Sequence, residues 1–210
     1  MKYLFCIIIG YLIGTINPSY MIGKLKGVDI RHKGSKNAGA SNALILFGKT
    51  LGVACALFDI AKAALAIWLC GKLFPELTYS FAVTGVSCIL GHIFPFYMKF
   101  RGGKGLACLG GMILAFDWRV FLIMLSCEIV VAIVTNYICF VPLSASVVFP
   151  IVYGIMRHDW WGALILCLVI PVMFFKHKEN LKRIKQGTEM PFNFLWNKEK
   201  ALANTKITKE

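Results

Sequence analysis

The chain has 210 residues, of which 58% are hydrophobic and only 16% charged, with a mean hydropathy of +0.70. A soluble domain would carry about a quarter charged residues, so the composition excludes an ordinary soluble protein and points to a polytopic helical membrane protein. The net charge of +13 taken alone suits nucleic acid or an anionic surface, but in a membrane protein the placement of charge matters more than its total, and no nucleic-acid partner is expected.

Seven apolar runs are predicted as spans, at residues 3–22, 50–73, 77–98, 105–116, 119–137, 143–156 and 160–175. The first follows Lys2 and leads to more spans without an A-x-A-like cleavage site, so it reads as a membrane helix rather than a removed signal. Crossing ~30 Å of hydrocarbon takes about 20 residues. The fourth and sixth runs are therefore short, and need extended ends or a thinned or protein-shielded setting. The eight cysteines lie in or beside apolar runs and form no CxxC pair. They read as small hydrophobes, not as a disulfide framework or zinc site, and no metal or cofactor is expected. The fold class is thus an all-α integral membrane protein, a seven-transmembrane-helix bundle. One domain covers 1–190, and a basic cytoplasmic tail covers 191–210.

The cations sort between two sides. Lys24, Lys26, Arg31, Lys33, Lys36 and Lys49 follow the first span, Lys99, Arg101 and Lys104 follow the third, and nine more lie from Lys176 to Lys209. With seven spans these all share one side, and only Lys2, Lys72, Arg119 and Arg157 face the other. The positive-inside bias then puts the N-terminus outside and the C-terminus in the cytoplasm.

Four polar constellations interrupt the apolar pattern. The segment from Gly27 to Thr50 carries Gly34, Ser35, Asn37, Gly39, Ser41 and Asn42, small groups whose backbone can approach an anion, beside Lys33 and Lys36. A solvated linker explains that segment equally well. Asp59 and Lys62 lie inside a span at i,i+3 spacing, hence on one helix face. Ionisable groups at that depth face a partner or cavity, and a packing salt bridge that shapes the site from behind is the favoured role. The stretch GHIFPFYMKFRGGKG, residues 91–105, sets Gly102, Gly103, Lys104 and Gly105 before a new apolar run, where a helix N-terminus favours an anion. His92 in the same stretch reads more readily as a packing residue than as a base. The segment 177–189 reads as an interfacial helix with headgroup-facing cations, within which Asn180 needs partners. Together these give a site for a small anion, a phosphate, at the cytoplasmic face. They give no reaction.

The motifs supply one by resemblance. SKNAGASN, DIAKA, GHIFPFYMKFRGGKG and a tail with Asn180, Arg183, Gly187 and Glu189 resemble the bacterial acyl-phosphate:glycerol-3-phosphate acyltransferases of the PlsY type, over nearly the whole chain. The matches are Ser35, Asn37, Gly39, Ala40 and Asn42, then Asp59 and Lys62, then the long third motif. The resemblance implies transfer of a fatty acyl group from acyl phosphate to the 1-hydroxyl of glycerol 3-phosphate, giving lysophosphatidate and orthophosphate. It also implies seven spans, a bacterial cytoplasmic (inner) membrane location, and a cytoplasmic-facing active site. The sequence departs from the family pattern in five places: Lys36 for glycine, Ser41 for threonine, Ala63 for glycine, Ile45 for arginine, and Pro142 for serine.

The expected site has Ser35, Lys104 and His92 as catalytic residues. Lys36, Asn37, Gly39, Ser41, Asn42, Lys49, Gly102, Gly103, Gly105 and Asn180 bind substrate, with Asp59 and Lys62 in support. An acyl phosphate is already activated, so the hydroxyl attacks the carbonyl directly and no acyl-enzyme is needed; proximity and charge stabilisation supply the catalysis. The proton goes to an acyl-phosphate oxygen, with His92 the less favoured base. The acyl tail lies between helices, among membrane lipids. Two alternatives stay open: a diverged paralogue with a changed acceptor or no catalysis, and a phosphate or lipid-phosphate transporter or binding protein. Nothing in the sequence specifies an oligomeric state.

Overall fold

The computed structural model describes residues 1–195 and is all-helical over them. Its helices are α1 (Lys2–Thr15), α2 (Pro18–Leu25), α3 (Ala40–Phe47), α4 (Lys49–Leu73), α5 (Ser80–Ile93), α6 (Leu106–Phe116), α7 (Trp118–Thr135), α8 (Phe140–Arg157), α9 (Trp160–Leu166) and α10 (Val169–Gln186), with short 3-10 turns at Phe96–Met98 and Phe192–Leu195. Among the described residues six segments are long and apolar enough to cross a membrane: Lys2–Leu25, Lys49–Leu73, Ser80–Met98, Trp118–Thr135, Phe140–Arg157 and Trp160–Gln186. The chain is a multi-pass membrane protein.

The predicted fourth span is the 11-residue α6, about 16 Å long at 1.5 Å per residue, half the hydrocarbon thickness. It is shielded by protein rather than lengthened. Gly111 lies against the Ile60 carbonyl and the Ala63 methyl of α4, and Met112 lies against Gly85 of α5, the small-residue contacts that let membrane helices approach closely. Ala63 is buried in this contact. The predicted sixth span, 143–156, is longer than expected and runs from Phe140 to Arg157. Pro142 occupies its first turn, where an absent N–H breaks no helical bond. The last span corrects the interfacial-helix expectation: 177–186 continues α10 without a break. Of the expected tail, 191–195 ends in the 3-10 turn, and the basic part 196–210 lies outside the described residues.

The first span is broken, which the hydropathy pattern does not predict. Pro18 removes an N–H, and Asn17 caps α2 by accepting from the Tyr20 N–H at 2.8 Å. The carbonyls freed by the break find donors: the Tyr97 hydroxyl donates to Thr15 O at 2.7 Å and Lys62 Nζ to Ile16 O at 2.5 Å. Unsatisfied carbonyls at membrane depth would cost several kcal/mol each, so these two side chains make the break tenable.

Helices α1 and α5 run side by side in the same direction. Tyr3 stacks near Tyr79 at one end, and Tyr11 OH donates to Phe94 O at 2.8 Å toward the other. This sorts the two ends of the bundle. One end holds the Lys2–Glu76 pair at 2.6 Å, the ring cluster of Phe81, Phe116, Phe149 and Tyr153, and Arg157 over Phe116. The opposite end gathers residues 26–39, 98–105 and 177–195.

Candidate active site

The first wall is the loop between α2 and α3. Asn42, fully buried, shapes it from within: its oxygen accepts from the Ser35 N–H at 2.8 Å, and its amide nitrogen donates to Ile30 O and Lys33 O, both at 2.9 Å. Both amide hydrogens are used on the loop, so Asn42 organises the wall instead of holding substrate as expected. Asn17 adds a bond from its amide to Ala38 O at 2.8 Å. Gly34 and Lys36 take left-handed backbone angles, φ 59 and 57. The glycine that the resemblance implies for position 36 would fit that conformation, and lysine adopts it at a cost of about 1–2 kcal/mol. Ser35, Lys36, Ser41 and Lys49 are exposed and Asn37 is half-buried. Gly39 leads α3 with no side-chain cap, its Cα close under the Asn37 amide. Ile45 is 42% exposed on α3.

The second wall is the turn before α6. Here the structure corrects an expectation. The N–H groups of Gly102 and Gly103, expected to face a phosphate at the start of α6, instead donate to Ile93 O and His92 O at 3.0 and 3.1 Å, tying the turn to the end of α5. A methyl on Gly102 would strike the His92 carbonyl, and one on Gly103 the His92 ring. These glycines are therefore required for close packing. Gly105, φ 88, leads α6 with no side-chain cap, leaving first-turn N–H groups and the positive helix end beside Lys104.

His92 is the second correction. Its ring is buried behind Gly103, with Nδ1 3.0 Å from Lys62 Nζ and 3.4 Å from Asp59 Oδ1. Enclosed in this way, it has no route to a substrate and supports the turn instead. Lys62 Nζ is 2.6 Å from Asp59 Oδ1, an ion pair without well-aligned hydrogen-bond geometry. Asp59, His92 and Cys108 bring potential ligand atoms within 4.8 Å of one another, but the Lys62 ammonium already sits against the first two. Lys62 also holds the break in the first span.

The third side comes from α10 and the segment after it. Lys104 Nζ donates to the Asn180 oxygen, the Asn180 amide donates to Glu189 Oε1 at 2.5 Å, and Arg183 Nε donates to Glu189 Oε2 at 2.5 Å. Burial, then the Arg183 charge, lowers the Lys104 pKa to about 8. Glu189 supplies the carboxylate in a basic surrounding. Beyond it, the Phe192 N–H donates to Asn136 O at 2.6 Å and fastens the segment to the end of α7. His177 was not singled out from the sequence. It is buried, and its Nδ1 lies 2.9 Å from Met173 O, which assigns the proton to Nδ1 and leaves Nε2 as an acceptor. It interacts electrostatically with Lys104. Its only sequence signal was the i,i+3 spacing to Asn180, which puts both on one helix face.

The polar groups thus gather at one end of the bundle. Below them the interior is filled by Ile89, Leu109, Met112, Phe116 and Phe149, an apolar plug that gives no support to a polar path across the membrane.

The chain is similar to known proteins over nearly its whole length. The family model described as "Glycerol-3-phosphate acyltransferase" matches residues 4–187. Glycerol-3-phosphate acyltransferase 1 of Oceanobacillus iheyensis is 37% identical over 207 residues, 95% of this chain and 99% of that one. The glycerol-3-phosphate acyltransferase of Finegoldia magna is 37% identical over 195 residues, 90% and 97% of the two chains. Among solved structures, PlsY (YgiH), an integral membrane glycerol 3-phosphate acyltransferase, superposes in its glycerol 3-phosphate form with a TM-score of 0.81 at 28% identity, over 93% of this chain and 98% of that chain. Its lysophosphatidic acid form gives 0.80 at 29% identity, over 93% and 97%.

Proposed function

The chain belongs to the glycerol-3-phosphate acyltransferase family, and from that premise we propose that it transfers a fatty acyl group from acyl phosphate to the 1-hydroxyl of glycerol 3-phosphate. The products are lysophosphatidate and orthophosphate. The observation that carries this reading is the clustering at one end of the bundle of Lys104, Asn180, His177, the uncapped start of α6 and the Ser35–Asn37 loop. This is a phosphate-binding set beside a lipid-facing exterior.

In this reading all seven helical segments serve as spans, α6 being the short, protein-shielded one. The cation-rich end faces the cytoplasm, by the positive-inside bias, and the membrane is the bacterial inner membrane. The glycerol 3-phosphate hydroxyl attacks the acyl carbonyl. A C–O bond to glycerol forms, the C–O bond to phosphate breaks, and orthophosphate leaves with the electron pair. The hydroxyl proton passes to a phosphate oxygen. Lys104 neutralises phosphate charge, and the α6 N–H groups and Ser35 provide further donors. Asn180 holds Lys104 in place. Nε2 of His177 is an acceptor that orients a substrate hydroxyl. Lys36 and Lys49 are both exposed and supply cationic charge in the absence of an arginine at position 45; a lysine does so without the bidentate fork.

The test is to give purified protein in nanodiscs acyl phosphate, acyl-CoA or acyl-carrier protein with labelled glycerol 3-phosphate. Lysophosphatidate and stoichiometric orthophosphate from acyl phosphate alone are expected. Turnover only with a thioester donor would overturn the donor assignment. A folded protein inactive with all three donors would favour the non-catalytic alternative.

A further inference from the structure

We propose that Arg31 is a positioning residue, a latch that fixes the loop carrying Ser35 and Asn37 to the end of the third span and so sets the distance between the two walls of the site. The proposal rests on the acyltransferase reading above.

Arg31 stands among the loop cations and would pass for a phosphate ligand. Its bonds say otherwise. Nε and Nη2 donate to the two oxygens of Asp29 at 2.9 and 2.7 Å, the bidentate fork that guanidinium makes with a carboxylate. Nη1 donates to Met98 O at 2.7 Å, across 67 positions of sequence. One face of the group lies 4.9 Å from the centre of the Tyr20 ring. The Arg31 N–H also donates to Asp29 Oδ1 at 3.0 Å. The charge is therefore neutralised by its own neighbour, and the fork is occupied on both sides. The Arg31 guanidinium holds the Asp29 carboxyl well below the usual carboxylate range, so the pair stays ionised across the physiological interval. Tyr20 against the guanidinium and His32, whose Nε2 is 4.0 Å from Asp29 Oδ2, are the titratable groups that also face the pair.

The acceptor is as informative as the donor. Met98 ends the third span, and its carbonyl also accepts from the Arg101 N–H at 3.2 Å. Between them Lys99 and Phe100 both hold left-handed backbone, φ 55 and 57, a conformation that side-chain-bearing residues adopt only where the surroundings impose it. The turn leads directly to Gly102, Gly103 and Lys104. On the loop side Ile30, next to Arg31, is fully buried with Met98 in one small apolar cluster. Arg31 thus closes over a buried contact between loop and span, and fastens the start of the strained turn that delivers Lys104. Lysine cannot replace it, because one ammonium cannot chelate Asp29 and reach Met98 O in the same geometry.

The experiment compares wild type, Arg31→Ala, Arg31→Lys, Asp29→Asn and the Asp29→Asn/Arg31→Ala double variant, each purified in nanodiscs. Amide hydrogen exchange is read without substrate, and kcat and KM for glycerol 3-phosphate are read with acyl phosphate. The latch predicts faster exchange over 27–39 and 98–104 but not over α4 or α7. It predicts KM raised about tenfold with kcat changed far less, because a site that must organise itself loses uniform binding. Arg31→Lys recovers only a minor part. Asp29→Asn raises KM as Arg31→Ala does, and the double variant is no worse than either, since both changes break one unit. If Arg31 instead touches phosphate, freeing it by Asp29→Asn leaves KM unchanged or lowers it, and that result overturns the latch. Unchanged exchange and KM in Arg31→Ala also overturn it. Should Arg31→Ala not fold, Arg31→Lys and Asp29→Asn carry the same comparison. An inactive wild type would fail the acyltransferase reading, while the exchange pattern still decides the latch.

Discussion

Lys104 donates to the side-chain oxygen of Asn180, and through that amide a lysine at the start of α6 is joined to Glu189 beyond α10. The amide is oriented by its two neighbours: its oxygen must face the ammonium and its nitrogen the carboxylate. Lys104 is thereby held in one place, half-buried and close to Arg183, with its charge made easier to lose.

That lowered pKa, about 8, predicts a pH signature. The charged form binds phosphate, so kcat/KM for glycerol 3-phosphate should decline as pH rises through about 8, approaching tenfold per unit. Stability moves the other way. Between the folded pKa and the ordinary lysine value of 10.5, the unfolded chain binds more protons at this group, so its contribution to folding improves as pH rises through that window. Lys104→Arg should move the descending limb of the rate profile to higher pH, as read from initial rates between pH 6 and 10.

The buried Lys62 group makes a stability prediction. Lys62→Met removes the donor to Ile16 O and the counter-charge of Asp59, both in the interior. Removing one partner of a buried ion pair typically costs about 3–5 kcal/mol, and His92, 3.4 Å from Asp59 Oδ1, is the only other charge-bearing group the described residues bring to that carboxylate. A paired Asp59→Asn/Lys62→Met change should recover a large part of that loss, because the remaining amide is neutral. Denaturant unfolding in mixed micelles reads both. Equal destabilisation in the single and double variants would remove the ion pair from the account.

Much of this arrangement was legible from residue types. Apolar runs located the six segments long and apolar enough to cross, because a helix satisfies its own backbone in lipid, and the gathering of the described cation-rich segments at one end agrees with their sorting by charge. The direction of individual N–H groups was not legible. GGKG reads as an anion-binding helix start because its glycines are free to present N–H groups, yet Gly102 and Gly103 turn their donors onto α5, and only the position of His92 decides between the two. The break at Asn17–Pro18 was likewise hidden, since its compensation comes from Tyr97 and Lys62, far along the chain. Asn42 looked like a ligand because a polar side chain in a glycine-rich loop has the same signature whether it faces substrate or its own backbone.

Gly103→Ala tests the packing role directly. A methyl there meets the His92 ring, so the turn or the ring must shift. Overpacking of this kind costs about 1–3 kcal/mol, and Lys104 would be displaced with it. A fall in kcat/KM of about tenfold or more is expected alongside the lower stability. Gly103→Ala combined with His92→Ala, which opens space, should regain stability; failure to regain any would place the constraint in the backbone instead of the ring.

Lys36 and Ile45 form the last pair, and their effects should oppose. Lys36 holds a left-handed backbone, φ 57, so Lys36→Gly should stabilise the fold by about 1 kcal/mol through relief of that strain. If the lysine supplies charge that Ile45 cannot, the same change should raise KM for glycerol 3-phosphate, and Lys36→Ala should raise it without the gain in stability. Ile45→Arg adds a guanidinium on the exposed face of α3 and should lower KM. The double variant Lys36→Gly/Ile45→Arg restores the family's residues at both positions. It is expected to combine the stability of the glycine with binding at least as tight as wild type, because a bidentate fork replaces a point charge. A double variant that binds no better than Lys36→Gly alone would show that position 45 faces away from the phosphate here, and would leave Lys104 as the main cation of the site.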